Sequence, residues 1–211
     1  MTAQRLGSGL YLVVDPSMPE KILLDKLGRV LHEKIVAIQI WDHFPEEQHA
    51  AELIEAISER VKPAHIPVFI NNRWEYLMDS SLSGVHFDEI PSDFEYIKTS
   101  IDKPFLTGLT CTNDLSQIRW AAEKNIDYLS FCSMFPSATA NSCELVDFET
   151  VRLGRAIFKN PIFLAGGITP EHIEELKGLP YDGIAVISGV MSAADPAAAI
   201  QTYYEKLSSK L

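Results

Sequence analysis

Cysteine is scarce: Cys111, Cys132 and Cys143 are the only three in 211 residues. They are odd in number and form no Cys-x-x-Cys pair, which argues against a disulfide scaffold or a structural zinc site and for a reducing compartment. Positive charge is also in short supply. Lys and Arg number 18 against 29 Asp and Glu, a net charge of −11. Neither nucleic acid nor an anionic membrane surface is an expected partner, since both need a concentrated positive face. No apolar run approaches the length of a membrane span, and the opening residues, Met1-Thr-Ala-Gln-Arg-Leu-Gly, lack an apolar signal core. The expectation is a soluble, cytoplasmic protein. Clustered metal ligands are missing as well. No carboxylate pair stands at adjacent strand ends, and Asp88-Glu89, which comes closest, reads as a solvated turn. The residues alone predict no metal site.

What is present is alternation. Short apolar runs at 10–14, 35–40, 66–70, 84–87, 105–109, 128–131, 162–165 and 184–187 predict eight strands. Between them lie stretches with helical spacing, several opened by Asp or Asn at a cap position, such as Asp114, Asp147 and Asp195. The runs at 162–165 and 184–187, bounded by Gly and Pro, read as strands buried on both faces, the kind a parallel sheet needs. No break in composition interrupts the series, so residues 1–211 are expected to form a single domain. A closed (βα)8 TIM barrel is the natural α/β solution, with an open doubly wound sheet as its competitor. In both, ligands bind outside the carboxyl ends of the strands.

The last two strand ends carry the strongest signal. After Ile162 to Ala165, Gly166-Gly167 removes side chains so that backbone N–H groups can face a ligand, and Thr169-Pro170-Glu171 reads as the start of a helix. After the eighth run, Ile187-Ser188-Gly189 repeats the feature. Bare N–H groups near helix starts attract phosphate, and two such loops in succession match the phosphate site many barrels build after strands 7 and 8.

The other strand ends are polar but nearly uncharged: Asp15, Gln39 with Trp41 and His43, Asn71-Asn72, His86, Thr110 and Thr112, Cys132-Ser133, then Ser137 and Thr139. His86 is a candidate general acid or base, joined by His43 if the loop after strand 2 folds inward. Asn71 and Asn72 suit either a ligand heterocycle or a turn. Ser137 and Thr139 suit a phosphate or their own loop. Cys132 reads as a buried apolar residue, with no base placed to activate it.

Taken in order, Ile38-Gln39, Ile70-Asn71-Asn72-Arg73, Gly84-Val85-His86, Phe135-Pro136-Ser137, Ala165-Gly166-Gly167-Ile168-Thr169 and Val186-Ile187-Ser188 resemble the thiamine-phosphate synthase and thiazole-tautomerase superfamily. The resemblance runs from about Leu10 to the last helix. It implies a (βα)8 barrel, often a homodimer, acting in thiamine biosynthesis as a transferase. The synthase joins a pyrimidine methyl pyrophosphate to a thiazole phosphate and releases pyrophosphate with Mg²⁺. By the same resemblance Gly167, Ile187 and Ser188 hold the thiazole phosphate, while Asn71 faces the pyrimidine.

The departures from that pattern are concentrated. Where the family has Gln-x-Arg-x-Lys, this chain has Gln39-Ile40-Trp41-Asp42-His43. The two metal aspartates fall at Asn72 and at or near Pro91, and a loop lysine falls at Ala140. The tautomerase histidine corresponds to Ser133. Every loss touches the pyrophosphate or its metal, while the monophosphate loops are intact. The expectation is a small phosphorylated ligand and little or no synthase activity. Two alternatives remain open: a related enzyme acting on another phosphorylated compound, with His86 or His43 as acid or base, and a non-catalytic phosphate-ligand binder.

Overall fold

The computed structural model describes residues 6–45, 49–137 and 144–208. Eight parallel strands close into a barrel in chain order: β1 Gly9–Val14, β2 Ile35–Ile40, β3 Val68–Asn71, β4 Gly84–Phe87, β5 Leu106–Cys111, β6 Tyr128–Phe131, β7 Ile162–Ala165 and β8 Gly183–Val186. β8 pairs with β1, Leu12 opposite Val186, so there is no free edge and the open-sheet alternative falls away. The helices that cover the barrel are α1 Glu20–Val30, α2 Ala50–Val61, α3 Phe94–Ser100, α4 Leu115–Glu123, α5 Phe148–Ile157, the short α6 Ser188–Met191, and α7 Pro196–Ser208.

Alternation along each strand sorts the side chains into two cores. Leu10, Leu12 and Val14 of β1 point outward and join the layer beneath the helices, which includes Leu23, Leu27, Ile54 and Ile118. Tyr11 and Val13 point inward. With Ala37, Phe69, Tyr128 and Phe163 they fill the barrel floor. Tyr11, Phe69, Tyr128 and Phe163 meet at ring-centroid separations of 5.3 to 6.1 Å, tilted or edge-on, the geometry aromatic quadrupoles prefer. Four rings leave little room beside them. At Gly108 of β5 a Cβ would lie 2.2 Å from Tyr128 and 2.6 Å from His86, so only glycine fits there.

Two local expectations need correction. The helix expected from Thr169 is a single 3-10 turn, His172–Glu174. The stretch before β8 also contains Gly178 at φ +80° and Pro180, and is too short to repay helix nucleation. Asp147 precedes α5 as expected but makes no side-chain cap bond, whereas Asp114 accepts from Ser116 N at 2.8 Å and does cap α4.

Candidate functional site

A cavity of about 970 Å³ opens at the carboxyl ends of the strands. Inward-pointing residues build its wall one register step above the aromatic floor. Asn71 of β3 lies opposite His86 of β4, and Thr110 of β5 opposite Ser130 of β6. Ala165 lies opposite Ala185, which carries the loops after β7 and β8 out side by side.

From floor to wall runs a chain of buried hydrogen bonds. Tyr11 OH donates to Gln39 Oε1 at 3.0 Å and lies 2.7 Å from Tyr128 OH. Tyr128 OH reaches His86 Nδ1 at 3.0 Å, and His86 Nε2 reaches Thr110 Oγ1 at 2.8 Å. Burial pushes the His86 pKa down to about 4, with the charge of Asp88 pulling the other way. At neutral pH the imidazole is therefore uncharged, with one nitrogen donating and the other accepting. Burial likewise raises both tyrosines above the ordinary phenol range, so the chain stays neutral throughout.

The β3 and β4 ends are tied together by Asp88. Asn71 Nδ2 donates to Asp88 Oδ1 at 3.0 Å and to His86 O at 3.1 Å, and Asn72 Nδ2 donates to Asp88 Oδ2 at 2.9 Å. Asn72 adopts φ +59°, a left-handed conformation that Asn tolerates, and its Oδ1 accepts from Asp88 N at 3.0 Å. Asp88, Glu89 and Asp114 all line the cavity, whereas no Lys or Arg does among the described residues. The nearby cations are engaged elsewhere. Arg73 pairs with Asp42 and lies over the Phe44 ring, and His43 Nδ1 sits 3.1 Å from Asp15 Oδ1. His43 is exposed and outside the cavity wall, although its ring packs against Trp41, which is part of that wall.

At the opposite side stand the two glycine and serine loops. Gly166 and Gly167 have φ of +84° and +67°. A Cβ on Gly166 would strike Ser133 Oγ at 2.1 Å, and one on Gly167 would strike Phe135 O at 2.5 Å. Close approach by the loop after β6 thus demands both glycines, whatever else they do. Substituting Gly167 would test this packing before it tested any ligand. Met134 N and Phe135 N donate to Ala165 O and Gly166 O, fastening that loop down. Among the described residues the N–H groups of Gly167, Ser188 and Gly189 donate to no acceptor. Ile187, Ser188 and Gly189 line the cavity with them. Because α6 is only four residues long, its start offers individual N–H groups rather than a helix dipole.

The structure brings together Gln39, Asn71, His86, Ser137, Gly166, Gly167, Ile187 and Ser188 around this one cavity. It leaves His43 at the rim, and Thr139 lies outside the described residues. Cys132 also lines the cavity, partly exposed rather than buried. Sequence reasoning missed Tyr11, Tyr128 and Ser130, although each shares the inward parity of a residue it did select. It also missed two buttresses. His172 stacks on Phe135 at 4.0 Å and places Nδ1 2.8 Å from Gly167 O, and Tyr203 OH of α7 donates to Ile168 O at 2.9 Å. No local pattern marks either, because each reaches its partner only through the fold.

Comparison with known proteins agrees with this architecture. A family model described as thiamine monophosphate synthase matches residues 10–190. The thiamine-phosphate synthase of Aromatoleum aromaticum is 25% identical over 199 residues, covering 92% of this chain and 94% of that one. The Xanthomonas campestris pv. campestris protein of the same name is 31% identical over 142 residues, 65% of this chain and 66% of its own. Among solved structures, the thiamine phosphate pyrophosphorylase of Pyrococcus furiosus superposes with a TM-score of 0.82 at 24% identity, covering 96% of each chain.

Proposed function

Because the chain belongs to the thiamine monophosphate synthase family, we propose that its cavity binds a small phosphate monoester at the β7 and β8 loops but lacks the means to expel pyrophosphate at a synthase's rate. The phosphate end has the right chemistry. The N–H groups of Gly167, Ser188 and Gly189 are free to donate, and the Ser188 and Thr169 hydroxyls lie beside them in the wall. The other end does not suit pyrophosphate. A departing pyrophosphate concentrates negative charge, and fixed cations are what stabilise it. Losing one such donor costs roughly 3–4 kcal/mol, or about several hundredfold in rate. The observation that carries this reading is the charge of the wall: Asp88, Glu89 and Asp114 are present, with no Lys or Arg among the described lining residues.

The family's Mg²⁺ does not fit the residues present. A Mg²⁺ ion needs several hard oxygens in near-octahedral array, whereas the carboxylate of Asp88 is tied to the Asn71 and Asn72 amides through both of its oxygens. Among the described residues no group of three His, Cys, Asp or Glu is placed to hold an ion. His86, uncharged and bonded at both nitrogens, favours binding over acid–base chemistry as the task of this site.

The test is a thiamine-phosphate formation assay with both precursors and Mg²⁺, run beside a synthase that has the full residue set. Product is expected to be absent, or slower by at least about several hundredfold, the cost of one missing donor. Asn72→Asp alone is expected not to restore turnover, because a metal placed there still lacks the cations. Robust Mg²⁺-dependent turnover by the unmodified protein would overturn the proposal.

A further inference from the structure

We infer that the barrel floor sets the hydrogen-bonding character of the cavity wall: Tyr11 and Tyr128 act as positioning residues that hold His86 in its Nδ1–H form, which leaves Thr110 Oγ1 an acceptor toward the ligand. The ligand group that meets Thr110 is therefore a hydrogen-bond donor. The inference rests on this cavity being the ligand site, and is independent of which groups hold a phosphate.

Protons along the chain of side chains from β2 to β5 can be counted one by one. Tyr11 OH donates to Gln39 Oε1, an oxygen that only accepts. A phenol carries one proton, so Tyr11 has none left for the 2.7 Å contact with Tyr128 OH, and Tyr128 supplies it. With its proton spent, the Tyr128 oxygen meets His86 Nδ1 at 3.0 Å as an acceptor, which puts the imidazole proton on Nδ1. A neutral imidazole has a single N–H. Nε2 thus offers a lone pair, and the 2.8 Å contact with Thr110 uses the threonine proton. Thr110 lines the cavity and is partly exposed, and its hydroxyl makes no other hydrogen bond among the described residues. What remains for a ligand is its oxygen lone pairs.

The opposite sense is self-consistent only if every link reverses, with the Gln39 amide turned over to donate to Tyr11 and His86 Nε2–H donating to Thr110. The Gln39 orientation seen here, Oε1 toward Tyr11, selects the first sense. The floor holds that order in place. The Tyr128 ring packs edge-on against Phe69 and Phe163, and Gly108 leaves the space in which Tyr128 and His86 meet. Tyr11, Tyr128 and His86 are buried, so a mismatched link strands a donor in the core, a penalty that disfavours it by about tenfold or more.

Nitrogen NMR of protein carrying labelled histidine reads the tautomer directly at pH 7.5, where His86 is neutral. The His86 signals are identified by their loss in His86→Gln, and Nε2 is told from Nδ1 by its couplings to the ring C–H protons. The parent is expected to be protonated at Nδ1. Tyr11→Phe removes a hydroxyl that makes no hydrogen bond to the imidazole, yet it should move the proton to Nε2 in about tenfold excess, because Tyr128 then donates to Nδ1. Tyr128→Phe, which deletes the Nδ1 acceptor, should do the same. A role in packing alone would leave the tautomer unchanged in both. Two neutral fragments probe the wall through the same signals: aniline, which donates, and anisole, which only accepts. Aniline is expected to bind the parent about three- to tenfold more tightly, and to lose that preference in Tyr11→Phe. An Nε2–H ring in the parent, which needs no variant to detect, overturns the inference outright. Nδ1–H retained in both variants overturns the role given to the tyrosines. Equal binding of the two fragments, or binding of neither, overturns the assignment of Thr110 as an acceptor for the ligand. None of these outcomes touches the loops after β7 and β8, which stand or fall on monophosphate binding.

Discussion

Acidification measures how firmly the barrel holds His86 in its neutral form. The ring lies between Tyr128 OH and Thr110 Oγ1 and is buried, which moves its pKa from 6.5 to about 4. In the unfolded chain the same imidazole takes up its proton near pH 6.5. Between those two values the unfolded state binds more protons than the native state, so stability is intact above pH 6.5 and is lost as the pH falls toward 4. The loss approaches about 1.4 kcal/mol per pH unit inside that window and totals about 2.5 kcal/mol by pH 4.5. His86→Gln abolishes this linkage. The variant is expected to be less stable than the parent at pH 7.5 by about 1–3 kcal/mol, because two buried hydroxyls lose a partner. Urea unfolding followed by circular dichroism at pH 7.5 and 4.5 gives both quantities. On acidification the parent should lose about 2.5 kcal/mol more than the variant, closing most or all of the gap. Equal losses in the two proteins would refute the argument, showing that His86 titrates freely in the fold.

Two further outcomes address the loops after β7 and β8. Ser188→Glu places a carboxylate among the unpaired N–H groups and should abolish monophosphate binding by calorimetry while leaving the melting temperature within a few degrees, since Ser188 is exposed. Unchanged affinity would remove this loop from the site. His172→Ala removes the ring that stacks on Phe135 and bonds Gly167 O, and should weaken thiazole phosphate about three- to tenfold, the worth of one hydrogen bond that positions the loop. His172→Gln should recover part of the loss, whereas an equal loss in both variants would point to stacking rather than the hydrogen bond.

The barrel is legible in the sequence because strand and helix patterns are local. Runs such as Ile35–Ile40, Tyr128–Phe131 and Ile162–Ala165 are mostly apolar and are followed by polar or small residues. The carboxyl ends of eight such runs must gather at one mouth, which is why Gln39, Asn71, His86, Gly167 and Ser188 could be gathered from sequence alone. That Trp41 and Asn72 rather than charged residues follow β2 and β3 is legible for the same reason, since it depends on which residue stands at a strand end. Tertiary structure decided what those residues face. Only closure of the barrel sets Tyr128 of β6 against Tyr11 of β1 and His86 of β4, turning a candidate acid or base into a neutral link in a buried chain. Only the loop after β6 reveals that Gly166 and Gly167 yield space to Ser133 and Phe135. Asp88, a solvated turn residue by its neighbours, becomes a clamped carboxylate because β3 lies beside β4 in a register that sets Asn71 against His86. Hydrophobic periodicity is written over a few residues at a time, whereas burial, pKa and hydrogen-bond partnership depend on groups far apart in the chain, 117 positions for Tyr11 and Tyr128.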